Sequence, residues 1–515
     1  MEDLTSIAAT VSSLLLFFLV LRGVYWVWWK PMSIERQLKA QGIFGSPYKL
    51  FFGDLKEIGR SIVLARSMAM EPNHRFITRV LPFVSQQVQQ FGNICFFWVF
   101  TTPRIIIQDA ELIKEALANK SGQFQKLPLS PFRRISAGLS SLEGDKWFQH
   151  RTILTPAFHL TKLKGMVPAF CTSCSEMIKR WKKLVDNNGV CELDVQSELD
   201  AMTADAISRT AFGSNYIEGK KIFELQKQQV ALMLKPTKFP YIPGFRFLPT
   251  KDNRKRYHLS KQIDEMLRVL INKKKTMKHN ECEHEDLLSL MLRSNEQPYE
   301  NANDRKLKGL TLQEVMEECK LFYFAGHETT CDLLTWTMVL LSMHVNWQNR
   351  AREEVREICG RTFPNYENIS QLKIVNMILL EVLRLYPPLT AQYRHTYNKT
   401  RLGGILLPAG VDIMLPTLAI HHDSKLWGKD AEEFNPERFS KGVTKATNNH
   451  SSYFPFGWGP KNCIGQNFAM IEAKTSLAMI LQHFSFELSP SYVHSPVSNI
   501  TIQPQYGAPI ILHQL

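Results

Sequence analysis

The chain of 515 residues has no low-complexity linker, no long Gly/Ser run and no internal repeat, which excludes a repeat array or domains strung on flexible tethers. Paired cysteines are lacking as well. Nine cysteines, an odd number at irregular spacing, argue against a disulfide framework and for a reducing, cytosol-facing environment. Acidic residues run short of basic ones, 48 against 62, giving a formal net charge of +14. Such a balance suits nucleic acid, a membrane surface or an acidic partner. No nucleic-acid motif accompanies it, so the last two are kept. Composition is otherwise that of a large globular domain, with 44% hydrophobic residues and 26 Pro and 26 Gly that punctuate many connections.

One long apolar run is present. From Leu4 to Trp29 it is broken only by Arg22, and it exceeds the roughly 20 residues needed to cross a bilayer. Glu2 and Asp3 precede it while Lys30, Arg36 and Lys39 follow, so the positive-inside rule places the main body in the cytosol. Tyr25, Trp26, Trp28 and Trp29 form an aromatic belt at its exit. A cleaved signal peptide fits poorly, because the run is too long, its leading residues are acidic and no small-residue cleavage site precedes the tryptophans. The expected organisation is a transmembrane anchor at 4–29, a hinge and membrane-proximal segment at 30–64 and one large domain at 65–515. The segment from Pro31 reads as a basic amphipathic helix followed by a turn between Gly42 and Pro47. Residues 94–100, 104–107, 405–407 and 413–415 read as strands of a small sheet, and helices dominate elsewhere.

The stretch 454–474 organises the rest. Gly457, Gly459 and Pro460 cannot belong to a helix interior, whereas Phe468, Ile471, Ala478 and Leu481 recur at helical spacing. Cys463 therefore sits at a helix N-terminus. Unpaired N–H groups and the helix dipole there favour a thiolate, and Lys461 adds a positive charge. Gly459 and Gly465 leave room for something flat, and Phe456 supplies an apolar wall. A lone cysteine is more often a small buried hydrophobe, but this flanking pattern reverses the odds. Thiolate, clearance and aromatic shield together describe a haem-thiolate site. Cys171 and Cys174 read as packing; His279, Cys282 and His284, in a charged segment, are not taken as a metal site.

Other segments carry weaker signals. Thr311 and Glu314 form a capping box that opens a long helix reaching about Met343. Its centre holds Ala325, Gly326, Glu328, Thr329 and Thr330, and the glycine and two threonines weaken or bend a buried helix and so call for a functional explanation. Trp147 and Arg151, at helical i, i+4 spacing, project from one face beyond an irregular connection at 121–144. Glu381 and Arg384 pair one turn apart in an apolar context. Residues 235–247, rich in Pro, aromatics and basic side chains, suit either a lipid headgroup boundary or an ordinary packed loop.

Together these motifs resemble the cytochrome P-450 family. Phe456, Gly459, Cys463 and Gly465 follow its cysteine-loop pattern, with Lys461 where the family usually has Arg. The resemblance implies a mainly α fold with small β-sheets, a triangular helical prism behind one N-terminal transmembrane helix, with 65–515 as the haem-binding catalytic domain. It implies haem b with Cys463 as the axial ligand. Trp147, Arg151 and Arg394 would hold the propionates, and Lys461 would serve as a point charge without the bidentate fork. Thr329 would border the oxygen-binding groove, with Glu328 helping to relay protons. Arg438 would complete a structural ion network with Glu381 and Arg384, and the loop at 239–247 would lie over the substrate entrance.

The reaction implied is insertion of one oxygen atom of dioxygen into an apolar small molecule of terpenoid, steroid or hormone-like type. Electrons would come from NADPH through NADPH-cytochrome P-450 reductase at the endoplasmic reticulum membrane, its acidic surface meeting a basic face near Lys461. Finer resemblance, in 144–159, 242–253 and 455–474, is to the plant clan that includes secologanin synthase. Two alternatives stay open: a haem-thiolate isomerase or dehydratase, although such enzymes commonly depart from the threonine motif kept here, and a membrane-anchored haem- or sterol-binding protein without turnover.

Overall fold

The N-terminal apolar run folds as α1 (Glu2–Val24), which continues through a wider π turn at Tyr25–Trp29 into α2 (Lys30–Lys39). This computed structural model describes residues 2–119, 121–128, 135–214, 216–234, 248–277, 286–294, 299–300, 306–447 and 452–515. The apolar part of α1 is covered by no protein, and it is long and apolar enough to cross a membrane. α2 is amphipathic and buries Ile34, Glu35 and Leu38 against the body. The Tyr48 hydroxyl donates to the Val27 carbonyl at 2.6 Å, tying the end of the apolar run to the domain.

Six short strands form the main sheet: β1 (Phe44–Gly45), β2 (Ile94–Val99), β3 (Thr102–Ile107), β4 (Phe124–Gln125), β5 (Gln392–Thr396) and β6 (Asp412–Leu415), in the order β1-β2-β3-β6-β5-β4. The β-branched and aromatic residues of β2 and β3 pair antiparallel, Ile94 opposite Ile107. β6 then lies parallel to β3 and antiparallel to β5, with Ile413 opposite both Ile105 and Arg394. Residues 405–407 form a strand, as the sequence suggests, but it pairs with Thr400–Leu402 in a separate hairpin and not with this sheet. A further hairpin joins β7 (Pro496–Ser498) to β8 (Ile502–Pro504).

A three-stranded sheet orders Phe484–Leu488, Pro509–Gln514 and Val190–Asp194, and helices dominate the rest. α3 (Ala110–Ala118), α4 (Gly144–Leu154), α5 (Leu160–Leu184), α6 (Val195–Phe212), α7 (Leu312–Met343), α8 (Lys373–Leu385) and α9 (Gln466–His483) are the ones that position the site. α7 begins where its capping box requires: the Thr311 hydroxyl accepts from Glu314 N–H, and Glu314 reaches back to Thr311 N–H at 2.9 Å. It is buried along most of its length, with Tyr323 stacked on Phe212 of α6 at 4.1 Å. α5 packs on α9 through Phe170 and Phe468. Cys171 and Cys174 are buried on α5, and burial pushes the Cys171 thiol up to about 11, as packing residues require. The candidate cluster His279, Cys282 and His284 and the loop at 239–247 lie outside the described residues.

The Glu381–Arg384 pair of α8 is fully buried and bidentate, at 2.7 and 2.8 Å. Arg384 also donates to the carbonyls of His421, Ala431 and Glu433, while Asn435 N–H donates to Glu381 and Arg438 stands 3.7 Å from it. This knot fastens the chain that leads into the cysteine loop. Removing one partner of a buried pair leaves a charge without compensation, which costs about 3–5 kcal/mol. Glu381→Gln should therefore lower the thermal midpoint sharply in calorimetry. An unchanged midpoint would mean that the carbonyls alone satisfy Arg384.

Candidate functional site

The cysteine loop is built by glycine turns. Gly457 and Gly459 take φ of +78° and +73°, and Cys463 N–H closes the loop on the Phe456 carbonyl at 2.8 Å. α9 starts just beyond, with Gly465 as its N-cap. The two clearances differ in purpose. A Cβ on Gly459 would lie 2.7 Å from the Leu117 carbonyl of α3, so that glycine admits a helix backbone. A Cβ on Gly465 would lie 4.0 Å from Cys463 Sγ and 3.9 Å from Phe158, so the open space beside the sulfur is there. Phe158 stacks on Phe322 of α7 at 5.7 Å, which links the loop to the long helix, and Phe456 packs at the edge of the core.

Cys463 has exposed surface, yet burial raises its thiol above the ordinary value. Both hold for a side chain that faces an enclosed space. The Gly465 N–H favours the thiolate, as the sequence suggests, and so does the Arg151 charge, but desolvation outweighs both. Lys461 is not what favours it. It pairs with Glu143 and sits 5.6 Å over the Trp147 ring, largely buried. The sulfur thus awaits a cation, whose charge would complete its ionisation.

Cations gather beside it. Arg151 of α4 donates to the Asn462 carbonyl and side chain at 2.9 and 3.0 Å, fastening α4 to the loop. Arg394 of β5 is buried, donates only to the Tyr393 carbonyl among the described residues, and leaves Nε without a partner. Burial pushes its guanidinium down to about 10. Lys126, just after β4, escaped the sequence reading. Burial, then the charges of Lys461, Arg394 and Arg151, push its amine down to about 7, with Glu318 opposing. Its position depends on pairing across the sheet, Gln125 opposite His395, which no local pattern reveals. Four cations around an enclosed space beside one thiol fit a flat group that carries a metal at its centre and carboxylates at its edge. Haem is such a group.

In α7, Ala325, Gly326, Glu328 and Thr329 are partly accessible, whereas residues 330–342 are buried without interruption, so the first four border an internal space. Gly326 has a packing reason, since a Cβ there would lie 2.8 Å from Ile207 of α6. The Thr329 hydroxyl donates back to the Ala325 carbonyl at 2.8 Å. Glu328 does not bond to Thr329. Its carboxylate accepts from Thr501 at 3.1 Å and Gln503 at 3.0 Å, beside and within β8, and burial raises its pKa.

Residues 78–507 match the family model described as Cytochrome P-450. The chain is 50% identical over 492 residues to cytochrome P-450 CYP72A616 of Paris polyphylla, covering 95% of each chain. It is 50% identical to cytochrome P-450 72A397 of Kalopanax septemlobus, covering 95% of this chain and 94% of that one. It is 47% identical to cytochrome P-450 72A15 of Arabidopsis thaliana, covering 100% of this chain and 99% of that one.

A pH test follows from Lys126. An anion beside it would raise its folded pKa from about 7, so the loaded protein would keep a proton that the empty one loses. Haem affinity should thus be full below about pH 7 and fall as pH rises beyond it. Lys126→Gln should weaken binding by about 1.5–3 kcal/mol and flatten that slope, read from haem transfer to apomyoglobin across pH. A slope as steep as in the wild type would assign the proton elsewhere.

Proposed function

The chain belongs to the cytochrome P-450 family and is a monooxygenase, and from that membership we propose that it inserts one atom of dioxygen into an apolar small molecule of terpenoid, steroid or hormone-like type. Electrons come from NADPH through a membrane-bound flavoprotein reductase, and α1 holds the enzyme on the endoplasmic reticulum with its domain in the cytosol. The observation that carries this reading is the Cys463 sulfur, facing an enclosed space beside four cations and joined through Phe158 to the threonine-bearing helix.

When bound, haem supplies the electron acceptance and oxygen chemistry. Cys463 would hold its iron, and Lys126, Arg151 and Arg394 would hold its propionates, with Trp147 beside them. Lys461, committed to Glu143, contributes less there and adds little to a basic face for an acidic reductase. The apolar side chains of Phe322 and Phe456 limit water near the reacting centre. Thr329 gives its hydroxyl to the groove by turning from the Ala325 carbonyl. Glu328, whose carboxyl burial raises above its ordinary value, supplies the proton at its carboxyl oxygen.

Cys463→Ser should abolish the red-shifted Soret band of the reduced carbon monoxide complex. Thr329→Ala should keep haem content and spectral substrate affinity while NADPH consumption yields hydrogen peroxide in place of much of the product. If neither Thr329→Ala nor Glu328→Gln altered the product formed per NADPH, the proton-delivery roles would be wrong.

A further inference from the structure

α7 carries a second acid one turn beyond Glu328. Asp332 is 1% exposed, and the donors beside its carboxyl are the Thr501 and Gln503 side chains already held by Glu328; among the described residues neither of its oxygens makes a hydrogen bond of full geometry. An ionised carboxylate in such a place is strongly disfavoured, and the group stays neutral by holding a proton. Residues at i and i+4 share a helix face, so Glu328 and Asp332 look the same way. Their surroundings agree. Thr501 and Gln503, which donate to Glu328, also lie near enough to Asp332 to favour its anion slightly. Burial, and then Glu328 whenever it is ionised, push the Asp332 carboxyl well above the ordinary carboxylate range. Two carboxyl groups in one dry pocket cannot ionise together.

The pocket has a way out. Asp200 of α6, which also disfavours the Asp332 anion, keeps a quarter of its side chain exposed (24%) and pairs with Lys227 of the helix Tyr216–Leu234 at 2.6 Å. His327 Nε2 stands 3.4 Å from Asp200. The charged groups facing Asp332 are Glu328 on its own helix and Asp200 from α6, while His327 and Lys227 stand against Asp200. Together they lead from solvent to the Thr329 groove, with Asp332 the most buried of the acids.

We propose that Asp332 is a proton-holding residue behind Glu328, reloading it after each delivery. The inference rests on the reading of Glu328 as proton donor. Glu328 releases the proton of its carboxyl O–H toward the groove and becomes a carboxylate. The Asp332 O–H bond then breaks as a proton passes, directly or through one water, to a Glu328 oxygen. Asp332 is left ionised, with the Thr501 and Gln503 donors beside it, and solvent water returns its proton on the Asp200 side. No electrons move in these steps.

The test uses the full-length holoenzyme. Wild type at neutral pH should show a protonated-carboxyl infrared band that shifts with isotope-labelled aspartate and in deuterium oxide. Asp332→Asn should remove that band and keep haem content. Its product per NADPH should fall about tenfold as the medium becomes alkaline, less than the roughly hundredfold loss of an outright general acid. Asp332→Glu should restore coupling. A wild-type band that ignores aspartate labelling overturns the proposal, even if Asp332→Asn fails to fold. So does unchanged coupling in Asp332→Asn when Glu328→Gln is uncoupled, an outcome that leaves the Glu328 reading intact. Unchanged coupling in Glu328→Gln removes both.

Discussion

Like charges brought together where water is scarce repel strongly, and Lys126, Arg151, Arg394 and Lys461 are brought together in this way. Each relieves the strain differently. Arg151 turns onto the cysteine loop, Lys461 takes Glu143, and Lys126 gives up part of its charge. Arg394 has, among the described residues, only a neighbouring carbonyl. The arrangement lowers its free energy when an anion enters, so binding of the prosthetic group contributes directly to folding stability. The sheet exists largely to hold this balance, since β4, β5 and β6 fix Lys126 and Arg394 in register.

Desolvation runs through the whole site with one consequence. It raises the Cys463 thiol and the Glu328 and Asp332 carboxyls, and it lowers Lys126 and Arg394. Every one of these groups is pushed toward its neutral form until a partner of opposite charge arrives. A thiol so poised ionises onto a metal, and a cation so poised charges onto a carboxylate. The buried acids of α7 meet the uncharged donors of Thr501 and Gln503, while burial raises both carboxyls.

Features encoded over one or two helical turns could be read from the sequence. The capping box of α7, the Trp147–Arg151 spacing, the Glu381–Arg384 pair and the glycine turns before Cys463 all specify their own geometry. What could not be read depends on residues far apart in the chain. Gly459 is small because α3 passes over it, and residues 405–407 pair with a hairpin partner instead of the main sheet. The Glu328 partners Thr501 and Gln503 come from the far C-terminal hairpin. The Cys463 environment is legible only in part for a related reason: dipole and charge are written near Cys463, but the depth of burial that opposes them is set by the whole fold.

Lys461 shows how such distant contacts redistribute a function. At the loop position where an Arg could fork onto a carboxylate, a Lys offers one point charge, and Glu143 occupies it. Glu143 also accepts from Lys126 N–H at 2.7 Å, so one carboxylate pins both the cysteine loop and the residue that follows β4. The cost is a cation withdrawn from the anion site. The gain is that Lys126, oriented by this clamp and by the Leu139 carbonyl, is held where it can serve in its place.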